Sequence, residues 1–202
     1  MNKEWSTLKK LIWYKATFGK AGLPDGYKRL LGFKFDNNSY YVIDDFHLTG
    51  ADTLKFSFSA TTACNILGCY TSGTAQTNYS LYVGTSTSNY LRYNGGTYNS
   101  KITSGTKYDM VITPTGATGL GTASTWTQKE FTAESDMCIA TTSETASSSK
   151  LVGNLYGIIE VVGRLKLIPC ERLSDHVLGY YDIKSGTFYE PATGTPESLG
   201  DY

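Results

Sequence analysis

The sequence predicts an all-β protein, an antiparallel β-sandwich with one short helix at its N-terminus. From residue 27 onward, short stretches of alternating apolar and polar residues recur along the chain, separated by turn-forming residues. The 16 tyrosines and 21 glycines suit many short strands joined by tight turns. Helical periodicity occurs in one segment only, near the N-terminus. A chain of 202 residues can bury the core of one such domain.

The N-terminal segment, residues 1–22, predicts an amphipathic helix. Ser6 is a suitable helix N-cap, and a Leu-Pro-Asp-Gly turn begins at residue 23, after the helical pattern has ended. One face of the helix carries Leu8, Leu11, Ile12 and Ala16. Because an isolated helix of this length is marginal in water, its apolar face needs a partner. We therefore interpret residues 1–22 as a docking or oligomerisation segment and residues 23–202 as the sandwich domain. The alternative is that the helix packs on its own domain.

The first part of the sandwich domain contains a series of candidate strands. The clearest is 53–59, where Leu54, Phe56 and Phe58 share one face. The others cover residues 40–43, 79–83, 90–93, 97–102, 108–113, 124–131 and 137–141. The Asn-Gly-Gly sequence at 94–96 predicts a hairpin turn, and residues 114–124 predict a loop.

The last third of the chain contains the strongest apolar segment, 155–168. Gly163 and Arg164 interrupt it, which indicates either two core strands joined by a turn or one long bent strand. Residues 178–183 and 187–189 predict a final hairpin. Ten or more short strands with no second helical region favour two packed antiparallel sheets.

Charge and cysteine content restrict the function classes. The 18 basic and 18 acidic residues cancel, so no net charge attracts nucleic acid or an anionic membrane. No apolar run is long enough to insert into a membrane, and the N-terminus lacks a signal-peptide pattern. The four cysteines, at positions 64, 69, 138 and 170, lack zinc-ligand spacing, and we expect buried free thiols, although their even number permits disulfides.

The residues that catalysis would require are not evident in the sequence. The chain has two histidines and no Gly-x-Ser-x-Gly nucleophile motif. The rival interpretation is a sandwich glycosidase with a Glu-x-Asp-x-x-Glu strand, but the nearest match, beginning at Glu134, has Ile139 in place of the third acid. Asp44 and Asp45 are adjacent, so on a strand they would face opposite ways. We expect no enzyme activity, no cofactor and no metal.

Three residues are candidates for carbohydrate binding. Trp126 is the only tryptophan of the β region, and Tyr93-Asn94 places an aromatic ring beside an amide in a predicted turn. An aromatic ring can stack on a sugar while neighbouring polar groups bind its hydroxyls. The alternative for Trp126 is a position in the core.

The C-terminal part of the sequence resembles a known family. Residues 168–175 (IPCERLSD) are followed by GYYD at 179–182, SGTFY at 185–189 and TGT at 193–195. This succession resembles the ending of concanavalin A-like (laminin G-like) domains of bacteriophage and prophage fibre proteins. Residues 23–30 (LPDGYKRL) resemble the opening of the same domains, and residues 6–13 their leader. On this resemblance Pro169 ends a strand and Tyr181 pairs with Phe188 across a hairpin. The middle of the chain matches only in strand pattern, so no binding residues carry over.

The resemblance implies a concanavalin A-like jelly roll that forms part of a phage head or tail fibre. Such a protein is assembled in the host cytoplasm and displayed on the virion surface. Its N-terminal segment would dock to other virion proteins, its oligomer would be a dimer or trimer, and its sandwich would contact a host-surface glycan or other fibre subunits. The alternative is a bacterial, prophage-derived carbohydrate-binding or adhesion module.

Overall fold

The computed structural model describes residues 22–71, 76–84, 90–94, 96–99, 102–120, 123–145 and 149–202. The predicted helix, with its candidate interface residues Leu8, Leu11, Ile12 and Ala16, lies outside these residues. The described strands are β1 (Tyr27–Arg29), β2 (Gly32–Asp36), β3 (Tyr40–Ile43), β4 (Leu54–Ala60), β5 (Cys64–Cys69), β6 (Tyr79–Val83), β7 (Tyr90–Tyr93), β8 (Gly96–Asn99), β9 (Tyr108–Thr113), β10 (Gly116–Thr118), β11 (Ser124–Thr125), β12 (Met137–Ile139), β13 (Val152–Val161), β14 (Leu165–Arg172), β15 (Val177–Asp182), β16 (Thr187–Tyr189), β17 (Pro191–Thr193) and β18 (Glu197–Ser198).

The described strands form two antiparallel sheets, as the alternating pattern predicts. The large sheet runs β11-β10-β9-β4-β13-β14-β15-β16, with β2 also paired to β13, β18 to β2, and β1 to β14. The small sheet runs β17-β3-β12-β5-β6-β7-β8. The chain is therefore an all-β sandwich in the part that the structure describes.

The core lies between the facing sides of the two sheets. Leu54, Phe56 and Phe58 of β4 are buried in it, which confirms their predicted common face. Tyr180 of the large sheet meets Tyr41 of the small sheet edge to face, with 5.0 Å between ring centroids. Contacts of this kind join the sheets with a specific geometry in addition to the burial of apolar area.

The large sheet divides where β13 and β14 diverge. The two strands pair from Ile159↔Leu167 to Val161↔Leu165, and beyond these pairs the segment 27–36 runs between them. β1 of that segment pairs with β14, and β2 pairs with β13. The C-terminal residues pair with this segment in two places, where β18 pairs with β2 and where Leu30 bridges to Asp201. The junction, meaning the place where segment 27–36 runs between β13 and β14, shapes the outward face of the sheet.

Pro169 does not end a strand as predicted, because it lies inside β14 opposite Tyr180. Its carbonyl accepts a hydrogen bond from the Leu30 amide at 2.9 Å. Since the N–H and C=O of a strand residue point to the same side, the missing donor of Pro169 faces the junction and not β15. At the junction the pairing of β14 changes from β13 to β1, so a proline is tolerated there.

Other predicted strands differ from the structure in extent. Strand 124–131 is reduced to β11, because residues 127–130 are all exposed and provide no buried face. The predicted loop 114–124 contains the short strand β10. Segment 155–168 is two strands joined by a turn, which is the first of the two alternatives that the sequence left open. The final hairpin pairs Tyr181 with Phe188, as predicted. The four cysteines are free and buried, which confirms the expectation for them.

Candidate functional site

A groove lies on the outward face of the large sheet, beside the junction. Its volume is about 500 Å³, and its lining includes Leu31, Ser57, Lys107, Tyr156, Leu199 and Tyr202. Ser57 alternates with the buried Phe56 and Phe58, and Tyr156 follows the buried Leu155, so both side chains point away from the core. A cavity of this size falls in the range of small-ligand sites.

The floor of the groove is backbone that a bulge in β13 exposes. The pairing of β13 with β4 shifts register between Tyr156 and Glu160. Within that stretch Gly157 has φ +58° and donates its amide to the Leu31 carbonyl at 2.8 Å. A Cβ atom at Gly157 would meet no atom within 4 Å, so it would extend into open space. The glycine both permits the left-handed conformation and keeps the floor clear.

The ring of Tyr156 is held in place through its hydroxyl. That hydroxyl accepts a hydrogen bond from the Asn154 amide at 2.8 Å and shares another with the Ser59 hydroxyl at 3.0 Å. Asn154 and Tyr156 are two residues apart on β13, so their side chains share the outward face. The network fixes the ring before any ligand arrives.

Tyr202 contributes a second aromatic ring to the groove. Its exposed fraction is 66%, and the Arg29 guanidinium lies 3.3 Å from the centre of the ring. The Tyr202 amide donates to the Arg29 carbonyl at 3.3 Å, and the preceding Asp201 forms an ion pair with Lys28 at 2.7 Å. Backbone and side-chain contacts therefore hold Tyr202 and the preceding residue against β1.

Ser57 and Lys107 line the groove beside Tyr156, and Asp109, which contacts both of them, completes a row of polar groups. Ser57 and Asp109 are register partners on β4 and β9, and the Ser57 hydroxyl donates to Asp109 Oδ1 at 2.5 Å. Lys107 Nζ lies 3.7 Å from the same oxygen and 5.2 Å from the centre of the Tyr156 ring. One ammonium and one carboxylate cancel, so the row carries donors and acceptors without net charge.

The carbohydrate-binding residues predicted from the sequence lie elsewhere. Tyr93 and Trp126 do meet, with 5.2 Å between ring centroids, but Tyr93 is 1% exposed and its hydroxyl donates to the Gly50 carbonyl at 2.7 Å. A sugar cannot stack on this ring, so the prediction for Tyr93 is corrected to a core role. Asn94 is also buried, and Trp126 is partly buried against the core, as its alternative interpretation supposed.

Sequence reasoning missed Tyr156 and Tyr202. The alternation of Asn154, Leu155 and Tyr156 is a local signal for an outward polar pair, but it lay at the start of a segment interpreted as core. For Tyr202 there was no local signal, because its place beside the groove depends on the pairing of the C-terminal residues with segment 27–36.

The acidic residues considered for catalysis do not form a cleft pair. Asp44 and Asp45 are exposed in a turn, and Asp136 Oδ1 lies 3.5 Å from Nε2 of His47. In the residues that the structure describes, no three His, Cys, Asp or Glu side chains group in a way that could hold a metal ion. The same residues include no helix that could span a bilayer.

Comparison with known proteins found no matching family model and no significantly similar curated protein.

Proposed function

We propose that this protein is a non-enzymatic fibre subunit of a bacteriophage virion, on the head or tail, whose sandwich attaches to a host-surface glycan. The groove carries the proposal. A pyranose has an apolar C–H face and a rim of hydroxyls, and the groove offers two tyrosine rings beside a row of hydrogen-bonding groups.

The virion assignment is supported by the C-terminal segment that resembles phage fibre domains. Its GYYD and SGTFY sequences fall on β15 and on the turn and strand of β16, which pair as a hairpin at one end of the large sheet. On this proposal the sandwich has the concanavalin A-like jelly-roll topology and is displayed on the virion surface. No residue of this hairpin is among those that line the groove, so attachment and the resemblance rest on different residues.

Assembly would place several grooves on one particle. Residues 1–22 would dock to other virion proteins or to further copies of the chain, as a dimer or trimer. Linked copies raise the effective concentration of each site, so weak individual binding becomes stable attachment. A bacterial adhesion module would present the same groove, and the oligomeric state distinguishes the two functions.

The test combines mass and binding. Light scattering is expected to give the full chain a dimeric or trimeric mass, and the chain lacking residues 1–22 a monomeric mass with the same β-type circular dichroism spectrum. The oligomer is expected to bind at least one surface polysaccharide in a panel of lipopolysaccharides, capsules and wall teichoic acids. A monomeric full chain would favour the adhesion module over the fibre subunit. A full chain that binds no member of the panel would contradict attachment through glycan.

A further inference from the structure

We infer that the groove selects an uncharged pyranose unit, packed against Tyr156 and Tyr202 with its hydroxyls bound by the row Ser57, Asp109 and Lys107. This inference rests on the proposed glycan attachment and specifies both the site and the ligand class. Neither Tyr156 nor Tyr202 belongs to the trio that the sequence indicated.

The two rings suit a flat apolar ligand face. Tyr156 is fixed by its hydrogen bonds to Asn154 and Ser59, so little conformational freedom is lost when a ligand packs against it. Tyr202 is mostly exposed before binding, and the Arg29 guanidinium supports its ring at 3.3 Å. Covering these rings removes apolar area from water and supplies affinity without a requirement for ligand charge.

The floor beside the rings admits a ring-shaped ligand. Gly157 places no side chain in the groove, and a Cβ built there would have open space around it. The neighbouring Ile158 and Leu199 add apolar lining, whereas the polar lining residues are Ser57 on β4 and Lys107 immediately before β9. The groove therefore has an apolar part and a polar part, as a sugar lying on one face and bound at its rim requires.

The charges of the polar row favour uncharged sugars over acidic ones. Asp109 can accept hydrogen bonds from sugar hydroxyls, Lys107 can donate to them, and Ser57 can do either. The Lys107–Asp109 pair at 3.7 Å leaves no net positive charge for a ligand carboxylate, and an acidic sugar would meet the Asp109 carboxylate. The nearby positive charge of Arg29 lies against the Tyr202 ring, outside the row. Uncharged hexoses and N-acetylhexosamines therefore fit better than uronic or sialic acids.

The experiment measures affinity of the full chain for neutral oligosaccharides and for matched acidic ones, by calorimetry at low and high NaCl. Neutral ligands are expected to bind with an affinity that changes less than twofold between 50 mM and about 500 mM salt, since no net charge is neutralised. Tyr202→Ala and Asp109→Asn are each expected to weaken neutral binding about tenfold or more, through loss of ring contact and of a charge-assisted hydrogen bond. Tyr202 is 66% exposed and the Asp109 side chain is 78% exposed, so both variants are expected to fold.

Leu173→Ala serves as the matched control. Leu173 is also an exposed large side chain, at 48%, but it does not line the groove, so its loss should leave affinity unchanged. Glycan binding that survives both groove substitutions would overturn the inference and leave glycan attachment standing. Preference for acidic ligands, strengthened by Asp109→Asn, would overturn the choice of ligand class. Absence of any glycan binding by the native chain would overturn the inference together with the proposed function.

Discussion

Substitution of phenylalanine for either of two buried core tyrosines should change the free energy of unfolding, but in opposite directions. Tyr180 and Tyr93 are both at most 1% exposed, and tyrosine to phenylalanine removes one oxygen from each. The Tyr93 hydroxyl donates to the Gly50 carbonyl at 2.7 Å. The Tyr180 hydroxyl is buried with no hydrogen-bond partner among the described residues, and burial holds the pKa of this phenol well above its ordinary value.

The magnitudes follow from the cost of burying a polar group. A buried hydroxyl without a partner costs about 1–3 kcal/mol, so Tyr180→Phe should raise the free energy of unfolding by about 1 kcal/mol. Tyr93→Phe removes a satisfied bond and leaves a carbonyl without its donor, so it should lower that free energy by about 1–2 kcal/mol. The two variants should therefore differ by about 2–3 kcal/mol, or about 4–12 °C in melting temperature for a chain of this size.

Urea and thermal unfolding, followed by circular dichroism at pH 7, measure both variants against the native chain. Tyr202→Phe is the control, because an exposed tyrosine should change stability by less than about 0.5 kcal/mol. If Tyr180→Phe destabilises the protein as much as Tyr93→Phe does, the reasoning is refuted, since the Tyr180 hydroxyl must then be satisfied in the folded state.

Three further outcomes are expected. Arg164→Met should cost about 1–2 kcal/mol in urea unfolding, because the Asp52 carboxylate is buried and loses its 2.5 Å ion pair, whereas Arg164 itself is partly exposed. Gly153→Ala should prevent folding or lower the free energy of unfolding by more than about 3 kcal/mol, because the added Cβ would lie 2.0 Å from a backbone oxygen of β4. Gly105→Ala is the control. Its Cβ would meet open space, so it should lower the same free energy by about 1 kcal/mol. Burial raises the pKa of Cys64 to about 11 and that of the other three cysteines to about 12. Ionisation of these thiols then favours the unfolded state, so unfolding free energy measured from pH 7 to 11 should hold steady below about pH 9 and fall above it, by at most about 1.4 kcal/mol per pH unit for each thiol. A flat profile above pH 9 would contradict the burial of the thiols.

Local patterns in the sequence predict several strands and turns of the sandwich domain. Alternation over 53–59 selected the buried face of β4, because successive side chains of a strand point to opposite sides. The interruption at residues 163–164 marks the turn between β13 and β14, although one long bent strand was an equally open alternative from the sequence. Turn-forming residues and residue periodicity act within a few positions of the chain, so they can be recognised without knowledge of the partners.

The junction and the groove beside it result from long-range pairing and not from local sequence patterns. Pro169 is predicted to end a strand, but its missing donor faces the place where β14 changes partners, so the strand continues. Tyr93 and Tyr156 both follow strand patterns, yet the first is packed in the core between the sheets and the second lines the outward groove. The face of a strand that is covered depends on pairings between residues more than 100 positions apart. The same pairings decide which face is left open by segment 27–36 and by the C-terminal segment. Such contacts are set by the packing of the whole domain, and no local pattern encodes them.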